Sequence, residues 1–186
     1  SSIRPIRAIF WSGWRTSDSM GILRTLWRVL RLGGHVLTGA LICVWIGLAT
    51  WAGHPPAWAP AVVRWWHGGL CRALGVRIRV SGAVAERSLL VANHISWLDI
   101  PVLGAQGPLG FLSKAEVRSW PLVGWMSAVA GTLFIERGAN QASTVSAQIA
   151  GAIAEGRTLV VFPEGTTSDG RQVRRFHPRL FAVAQQ

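Results

Sequence analysis

The chain has 186 residues, enough for one ordinary domain with a buried core but too few for two full domains and a membrane segment. Half of the residues are hydrophobic, 11 are Trp and none is Tyr, a composition more apolar than is usual for a water-soluble protein. The net charge of +11 suits nucleic acid, an anionic membrane surface or an acidic substrate. Two cysteines without a CxxC spacing argue against a disulfide framework or a zinc site.

The N-terminal third carries the signs of membrane attachment. Residues 1–19 show no clear period and are interpreted as a poorly ordered or interfacial leader. Met20–Leu32 has apolar residues at helical spacing with arginines on the other side, typical of a helix lying on a bilayer or packed on protein. Val36–Ala52 then runs for seventeen residues without a charge, so it either spans the hydrocarbon region or re-enters it. Six arginines precede this run and favour the cytoplasmic side for its start.

Pro55–Pro60 breaks any helix and predicts a boundary between two parts, residues 1–57 with the leader and membrane-associated helices, and residues 58–186 with the folded domain. Ala61–Leu74 predicts a helix and Val76–Val80 a half-exposed strand. Further strands are predicted at Ser88–Ala92, Leu109–Leu112, Thr132–Ile135 and Thr158–Phe162, and further helices at Leu98–Ala105, Leu122–Ala130 and Gln141–Glu155. This alternation predicts an α/β fold with a mixed sheet flanked by helices.

A histidine and an aspartate follow the first buried strand of this domain. His94 stands just beyond the strand ending at Ala92, and Asp99 comes five residues later at the start of a helix. Because the carboxyl ends of strands face the ligand crevice of α/β sheets, this imidazole is expected to meet substrate. Asp99 can accept a hydrogen bond from one ring nitrogen and leave the other free as a base. The spacing of these two residues taken alone favours a simpler interpretation, a hydrogen-bonded loop histidine and a helix cap.

A second loop of interest, Phe162–Gly170, follows another apolar strand. Its glycines and hydroxyl residues can present backbone N–H groups to an anion, while Glu164 could orient an arginine or accept a hydrogen bond from a substrate hydroxyl. Arg137, just after the strand ending at Ile135, could bind a phosphate or a carboxylate. No G-x-S-x-G elbow or suitably placed Cys supplies a nucleophile, so the hydroxyl of the substrate itself is expected to attack.

These stretches together resemble the lysophosphatidic-acid and glycerol-phosphate acyltransferase superfamily. Its first motif, His-x4-Asp, is matched by His94 and Asp99. Its second motif is matched by Gly131, Phe134, Ile135 and Arg137, and its third, Phe-Pro-Glu-Gly-Thr, by the five residues from Phe162 to Thr166. The residues Thr166–Gly170 and the Arg175-Phe176-His177-Pro178 sequence look closer to the branch that acylates lyso-ornithine lipid. The chain ends before the superfamily's fourth motif, so it is expected to be a C-terminally truncated catalytic domain.

The resemblance implies an O-acyltransferase in which His94 is the base and Asp99 its orienting partner. It further implies an acceptor-binding set consisting of Lys114, Phe134, Arg137, Glu164, Gly165 and Thr166. The acceptor would be 1-acylglycerol-3-phosphate or lyso-ornithine lipid, and the donor a thioester of acyl carrier protein or coenzyme A. No metal and no cofactor are implied, because His94 and Asp99 lack a third ligand at usable spacing.

The same resemblance implies membrane lipids as partners, and a place at the bacterial inner membrane with the catalytic domain on the cytoplasmic face. Two other functions remain open at this point. One is an inactive membrane scaffold of the same fold, and the other is a basic nucleic-acid-binding protein. The second is disfavoured because a third of the arginines precede the apolar run and no nucleic-acid motif is present.

Overall fold

The computed structural model describes residues 7–9, 19–136 and 142–176 of the chain. The helices are α1 (Ser19–Trp51), α2 (Ala59–Ala73), α3 (Asp99–Gly104), α4 (Val123–Val129) and α5 (Ala142–Ala154), with a 3-10 helix at Ala115–Ser119. The strands are β1 (Arg7–Ile9), β2 (Arg77–Arg79), β3 (Leu89–Val91), β4 (Leu109–Lys114), β5 (Leu133–Ile135) and β6 (Thr158–Val161). Each strand and helix predicted for the folded domain is present, with bounds shifted by at most a few residues.

The main sheet has four strands in the order β3-β6-β4-β5, and every neighbouring pair is parallel. The predicted α/β class is thus confirmed. The antiparallel pairing lies apart from this sheet, between β1 and β2, where Arg7 is opposite Arg79. Within the leader interpreted from the sequence as poorly ordered or interfacial, Arg7–Ile9 forms the short strand β1.

The core is built on β6, which lies between β3 and β4 in the main sheet. Leu159 and Val160 are completely buried, and because successive residues of a strand point to opposite faces, they belong to two different clusters. Leu159 packs with Ile149 and Ala152 of α5. Val160 packs with Leu109 and Phe111, and residues of α3 complete that cluster. Helices therefore cover both faces, as the uniformly apolar sequence of a buried parallel strand requires.

The N-terminal helix is longer than the sequence indicated. The sequence predicts Met20–Leu32 and Val36–Ala52 as separate segments, whereas α1 is one helix that continues through the intervening Gly33 and Gly34. Its stretch from Gly21 to Trp51 is long and apolar enough to cross a membrane, with a mean hydropathy of 1.8 in its most apolar window, and only 17% of that window is buried. Length and composition alone support this statement.

Helix α2 connects α1 to the domain. On its α1 side, Trp66 donates from Nε1 to the carbonyl oxygen of His35 at 2.9 Å, and the imidazole of His35 is stacked on the Trp66 indole. On its domain side, the imidazole of His67 fills the space over Gly104 of α3, where a Cβ would lie only 1.8 Å from Nδ1. Burial lowers the pKa of His67 to about 4, against a smaller opposing effect of the Gly104 backbone.

The buried His67 makes the stability of the fold depend on pH. An unfolded histidine has a pKa near 6.5 whereas His67 has about 4, so the unfolded chain binds the extra proton first as pH falls. We expect the free energy of unfolding to be constant above about pH 6.5 and to fall by up to about 3 kcal/mol towards pH 4. Denaturant unfolding at a series of pH values measures this. His67→Leu should flatten the slope, and the exposed-site control His54→Gln should retain it; an equal slope in all three proteins would contradict the assignment.

Candidate active site

Two loops meet at one edge of the main sheet. Strands β3 and β6 are parallel neighbours, so the segments that follow Val91 and Val161 leave the sheet side by side at its carboxyl edge. The first segment carries His94 and leads into α3, and the second carries Glu164. This is the edge at which open parallel sheets bind ligands. The spatial proximity of the two motifs is therefore a consequence of strand order, which the sequence does not state.

The predicted pair of His94 and Asp99 is formed. Nδ1 of His94 lies 2.7 Å from Oδ2 of Asp99, and the two side chains are 20% and 22% exposed. The same Oδ2 accepts hydrogen bonds from the backbone N–H groups of Ile95, at 2.7 Å, and Ser96, at 2.9 Å. An acceptor on Nδ1 fixes the tautomer in which Nε2 has a free lone pair. No hydrogen bond to Nε2 is formed within the described ranges, so this nitrogen is available to a substrate proton.

Asp99 is held as an ion. Burial raises the pKa of its carboxyl group, but the hydrogen bond from His94 and those from the N–H groups of Ser96 and Ile95 outweigh it, with a further contribution from the charge of His94. The net pKa of Asp99 is lowered below its ordinary value. An ionised carboxylate on Nδ1 can stabilise the positive imidazolium that forms when Nε2 takes up a proton.

The loop after β6 holds His94 from two directions. The ring of Phe162 is stacked on the imidazole, with 4.2 Å between the ring centroids and an angle of 21° between the planes. Glu164 accepts a hydrogen bond from the backbone N–H of His94 at 3.2 Å, and Ser168 donates its own backbone N–H to the His94 carbonyl oxygen at 2.8 Å. Both the backbone and the ring of His94 are thereby fixed by one loop.

Glu164 does more within this loop than the resemblance implies. Its side chain is only 4% exposed, and its second oxygen, Oε2, accepts a hydrogen bond from the backbone N–H of Arg174 at 3.1 Å. Both carboxylate oxygens are therefore bonded to the protein backbone. The carboxylate joins the His94 loop to the segment ten residues downstream, which is a positioning role, and it presents little surface to a bound headgroup.

Two glycines allow the shape of this loop. Gly165 has a φ of 69° and Gly170 a φ of 73°, in the left-handed region that side chains disfavour. A Cβ on Gly170 would also lie 3.1 Å from Cδ1 of Ile95, in the neighbouring His94 loop. Gly165 thus has a conformational reason for its place in the motif in addition to the binding role that the resemblance implies.

Of the other predicted site residues, Lys114, Phe134 and Thr166 are among those that the structure describes, and each lies in or directly after a strand of the main sheet or in the loop after β6. Lys114 is exposed at the end of β4, and Phe134 is half-buried in the neighbouring β5, with the guanidinium of Arg118 5.8 Å from its ring centroid. Thr166 is exposed next to Gly165. Arg137 lies outside the described residues, so its position relative to the pair is not given.

Sequence reasoning did not assign a role to Phe162 or Ser168, although both lie inside the quoted loop. Strand order could have suggested the contact of this loop with His94, but not the ring stacking. Among the described residues, no group of three or more His, Cys, Asp or Glu side chains could hold a metal ion. Two surface cavities, of about 620 and 470 Å³, lie along α2 and contain none of the predicted site residues.

A parallel α/β domain with a histidine hydrogen-bonded to a carboxylate at its carboxyl edge is the arrangement that an enzyme using general base catalysis needs. Comparison with known proteins identifies the family. The model of the Acyltransferase family matches residues 77–186, and the chain belongs to this family.

Curated relatives fall under two names. The lyso-ornithine lipid O-acyltransferase of Pseudomonas aeruginosa is 47% identical over 89% of this chain, and that of Rhizobium meliloti is 38% identical over 77%. The 1-acyl-sn-glycerol-3-phosphate acyltransferase of Neisseria meningitidis is 34% identical over 62% of this chain. The chain spans 65%, 48% and 47% of the lengths of these three relatives.

Among solved structures, the 1-acyl-sn-glycerophosphate (LPA) acyltransferase PlsC from Thermotoga maritima has a similar fold. The TM-score is 0.64 at 21% sequence identity, and the match covers 88% of this chain and 70% of that one. At this identity the likeness concerns the fold alone.

Replacing Asp99 with Asn tests the orienting carboxylate. The amide has nearly the same shape but no charge, and it can hold the imidazole in the wrong tautomer, so the rate of acyl transfer should fall about 10²- to 10⁴-fold. Turnover numbers of the purified variant measure this, with circular dichroism as the control for folding. A variant that is folded and retains the full rate would contradict the role of Asp99.

Replacing Glu164 with Gln separates positioning from headgroup binding. The amide keeps one acceptor oxygen but turns an N–H donor towards one of the two backbone N–H groups, which loosens the loop behind His94. We expect kcat to fall about tenfold with little change in the acceptor KM. Steady-state kinetics give both constants. A raised KM with an unchanged kcat would assign Glu164 to the acceptor headgroup instead.

Proposed function

We propose that the protein is an O-acyltransferase that moves a fatty acyl group from a thioester of acyl carrier protein or coenzyme A to the hydroxyl of a lysolipid. One observation carries this proposal: Nδ1 of His94 is held by Asp99 at 2.7 Å while Nε2 is left without a partner among the described residues. A base directed outward suits deprotonation of a hydroxyl that the substrate brings. Membership of the Acyltransferase family supports the choice of reaction.

The proposed reaction needs a single transfer step. Nε2 of His94 takes the proton of the acceptor hydroxyl as its oxygen attacks the thioester carbonyl carbon. A C–O bond forms and the C–S bond breaks. The departing sulfur takes the proton from the imidazolium and leaves as the free thiol, which returns His94 to its neutral form. Asp99 stabilises that imidazolium through Nδ1. General base catalysis of this kind contributes on the order of 10²- to 10⁴-fold to the rate.

The acceptor that we propose is lyso-ornithine lipid, with 1-acylglycerol-3-phosphate as the second candidate. Relatives that are 47%, 38%, 41% and 42% identical to this chain carry the first name, and relatives that are 34% and 31% identical carry the second. The acceptor-binding residues would be Lys114, Phe134, Arg137, Gly165 and Thr166, since those that the structure describes lie at the carboxyl edge of the sheet.

We also place the protein at the bacterial inner membrane with the catalytic domain on the cytoplasmic face. The support for membrane association is α1, which is long, apolar and largely unburied. Six arginines precede its charge-free part, and positive flanking residues favour the cytoplasmic side.

The variant His94→Ala tests the enzyme against the inactive scaffold. The proposal expects transfer from an acyl thioester to lyso-ornithine lipid to fall by at least about 10²-fold, because the base is removed and Asp99 is retained. Radiolabelled acyl transfer by the purified protein, with both candidate acceptors offered, gives the rate and the preference. Equal rates for the variant and the unmodified protein would rule out the base role. A preference for 1-acylglycerol-3-phosphate would support the proposed acyl transfer reaction but would identify this lipid as the acceptor in place of lyso-ornithine lipid.

A further inference from the structure

The segment that joins the 3-10 helix to α4, together with the first turn of α4, exposes four large apolar side chains. Trp120, Leu122, Val123 and Trp125 are between 40% and 57% exposed although they lie within six consecutive residues. We call residues 120–125 the apolar turn. A cluster of this kind, with two tryptophans, is typical of surfaces that contact a protein or a membrane.

The backbone of the apolar turn is fixed in a form that points these residues outward. Leu122 has a φ of 59° and a ψ of −59°, a conformation that costs a residue other than glycine of the order of 1–3 kcal/mol. Gly124 packs directly against the 3-10 helix, where a Cβ would lie 2.4 Å from the carbonyl oxygens of Val117 and Arg118. Packing against the 3-10 helix maintains this strained conformation, in which the four apolar side chains are exposed.

The apolar turn lies at the same edge of the sheet as His94. It follows β4, whose carboxyl end is at Lys114, and β4 is parallel to the strands that precede both catalytic loops. Ile95 and Trp97, on either side of Ser96, are also exposed at this edge. At the opposite edge, the described segments 85–87, 106–108 and 155–157 expose none of the large hydrophobic residues. Among these described segments flanking the main sheet, the exposed large apolar side chains lie on the side of His94.

The apolar turn continues the surface of α1. Helix α4 packs on α1, and Met126, directly after Trp125, lies against Gly39, where a Cβ would be 2.8 Å from Cε of Met126. Two exposed cations, Lys114 and Arg118, stand beside the turn with one exposed anion, Glu116. An apolar patch that adjoins an unburied apolar helix and has a positive rim matches the chemistry of an anionic bilayer surface.

We propose that the apolar turn is a second membrane contact, which inserts Trp120, Leu122, Val123 and Trp125 at the boundary between headgroups and acyl chains. Anionic headgroups pair with the exposed guanidinium of Arg118 beside the turn. With α1 as the first contact, this turns the catalytic edge towards the bilayer, so a lysolipid hydroxyl reaches His94 from the membrane side. The inference rests on the membrane association in the proposed function and adds the surface that performs it.

Depth-dependent quenching tests the contact. Val123→Cys is labelled with a fluorophore and the protein is reconstituted into vesicles of phosphatidylcholine and phosphatidylglycerol; the native Cys43 and Cys71 are buried and react poorly. The matched control is Glu86→Cys, an exposed position at the opposite edge. We expect lipids with a nitroxide near the headgroup to quench position 123 and aqueous iodide to quench position 86.

The other outcomes overturn the proposal. Quenching of position 123 by iodide and not by lipid nitroxide would place the apolar turn in water. Protection from both quenchers would mean that protein covers it, either a second copy or another part of the chain.

A double variant, Trp120→Ser with Trp125→Ser, links the contact to activity. Transfer to a lysolipid embedded in vesicles should fall at least about tenfold, while transfer to a short-chain lysolipid dissolved as monomers is unchanged. Val80→Ser, an exposed apolar position on the edge of β2, is the control and should alter neither rate. Equal loss with both acceptors, or no loss with either, would overturn the proposal. Failure of the proposed function looks different, because the unmodified protein would then transfer to neither acceptor.

Discussion

The site depends on one short contact, the 2.7 Å hydrogen bond between Nδ1 of His94 and Oδ2 of Asp99. Two backbone N–H groups bind the same oxygen, so the carboxylate is fixed by its own loop before it fixes the imidazole. The stacking of Phe162 and the hydrogen bond from Ser168 then restrict the histidine from outside the loop. The orientation of His94 therefore depends on two sets of contacts. One set lies within its own loop, and the other comes from the loop after β6, which the strand order brings alongside.

Much of the fold was predictable because its signals are local. Charge-free β-rich runs such as Thr158–Val161 predict buried strands, and the five-residue spacing of His94 and Asp99 needs only a strand end followed by a helix start. Both motifs were also placed correctly at the ends of strands. The resemblance supplied the family, which the match of residues 77–186 confirms, whereas the individual roles of the site residues stay predictions.

What could not be predicted depends on contacts between distant parts of the chain. The two carboxylate oxygens of Glu164 bind backbone groups of His94 and Arg174, and no spacing in the sequence reports such a pairing. The continuity of α1 through Gly33 and Gly34 was also not predicted, in this case because a local signal points against it. Local propensity disfavours glycine in a helix by about 1 kcal/mol per residue, a cost that the long flanking helical segments can offset.

The length of α1 has a consequence for the height of the reaction centre. Its 33 residues extend over about 50 Å, whereas the hydrocarbon region of a bilayer is about 30 Å thick, so a helix of this length placed across it would leave roughly a dozen residues outside. Gly39 of this helix is also the point where Trp66 of α2 and Met126 of α4 both approach. In a bilayer, the boundary between the arginine-rich half and the charge-free half of α1 would lie near the headgroups. Because the domain packs on the helix close to this boundary, its position would set the distance between the catalytic edge and the lipid hydroxyls.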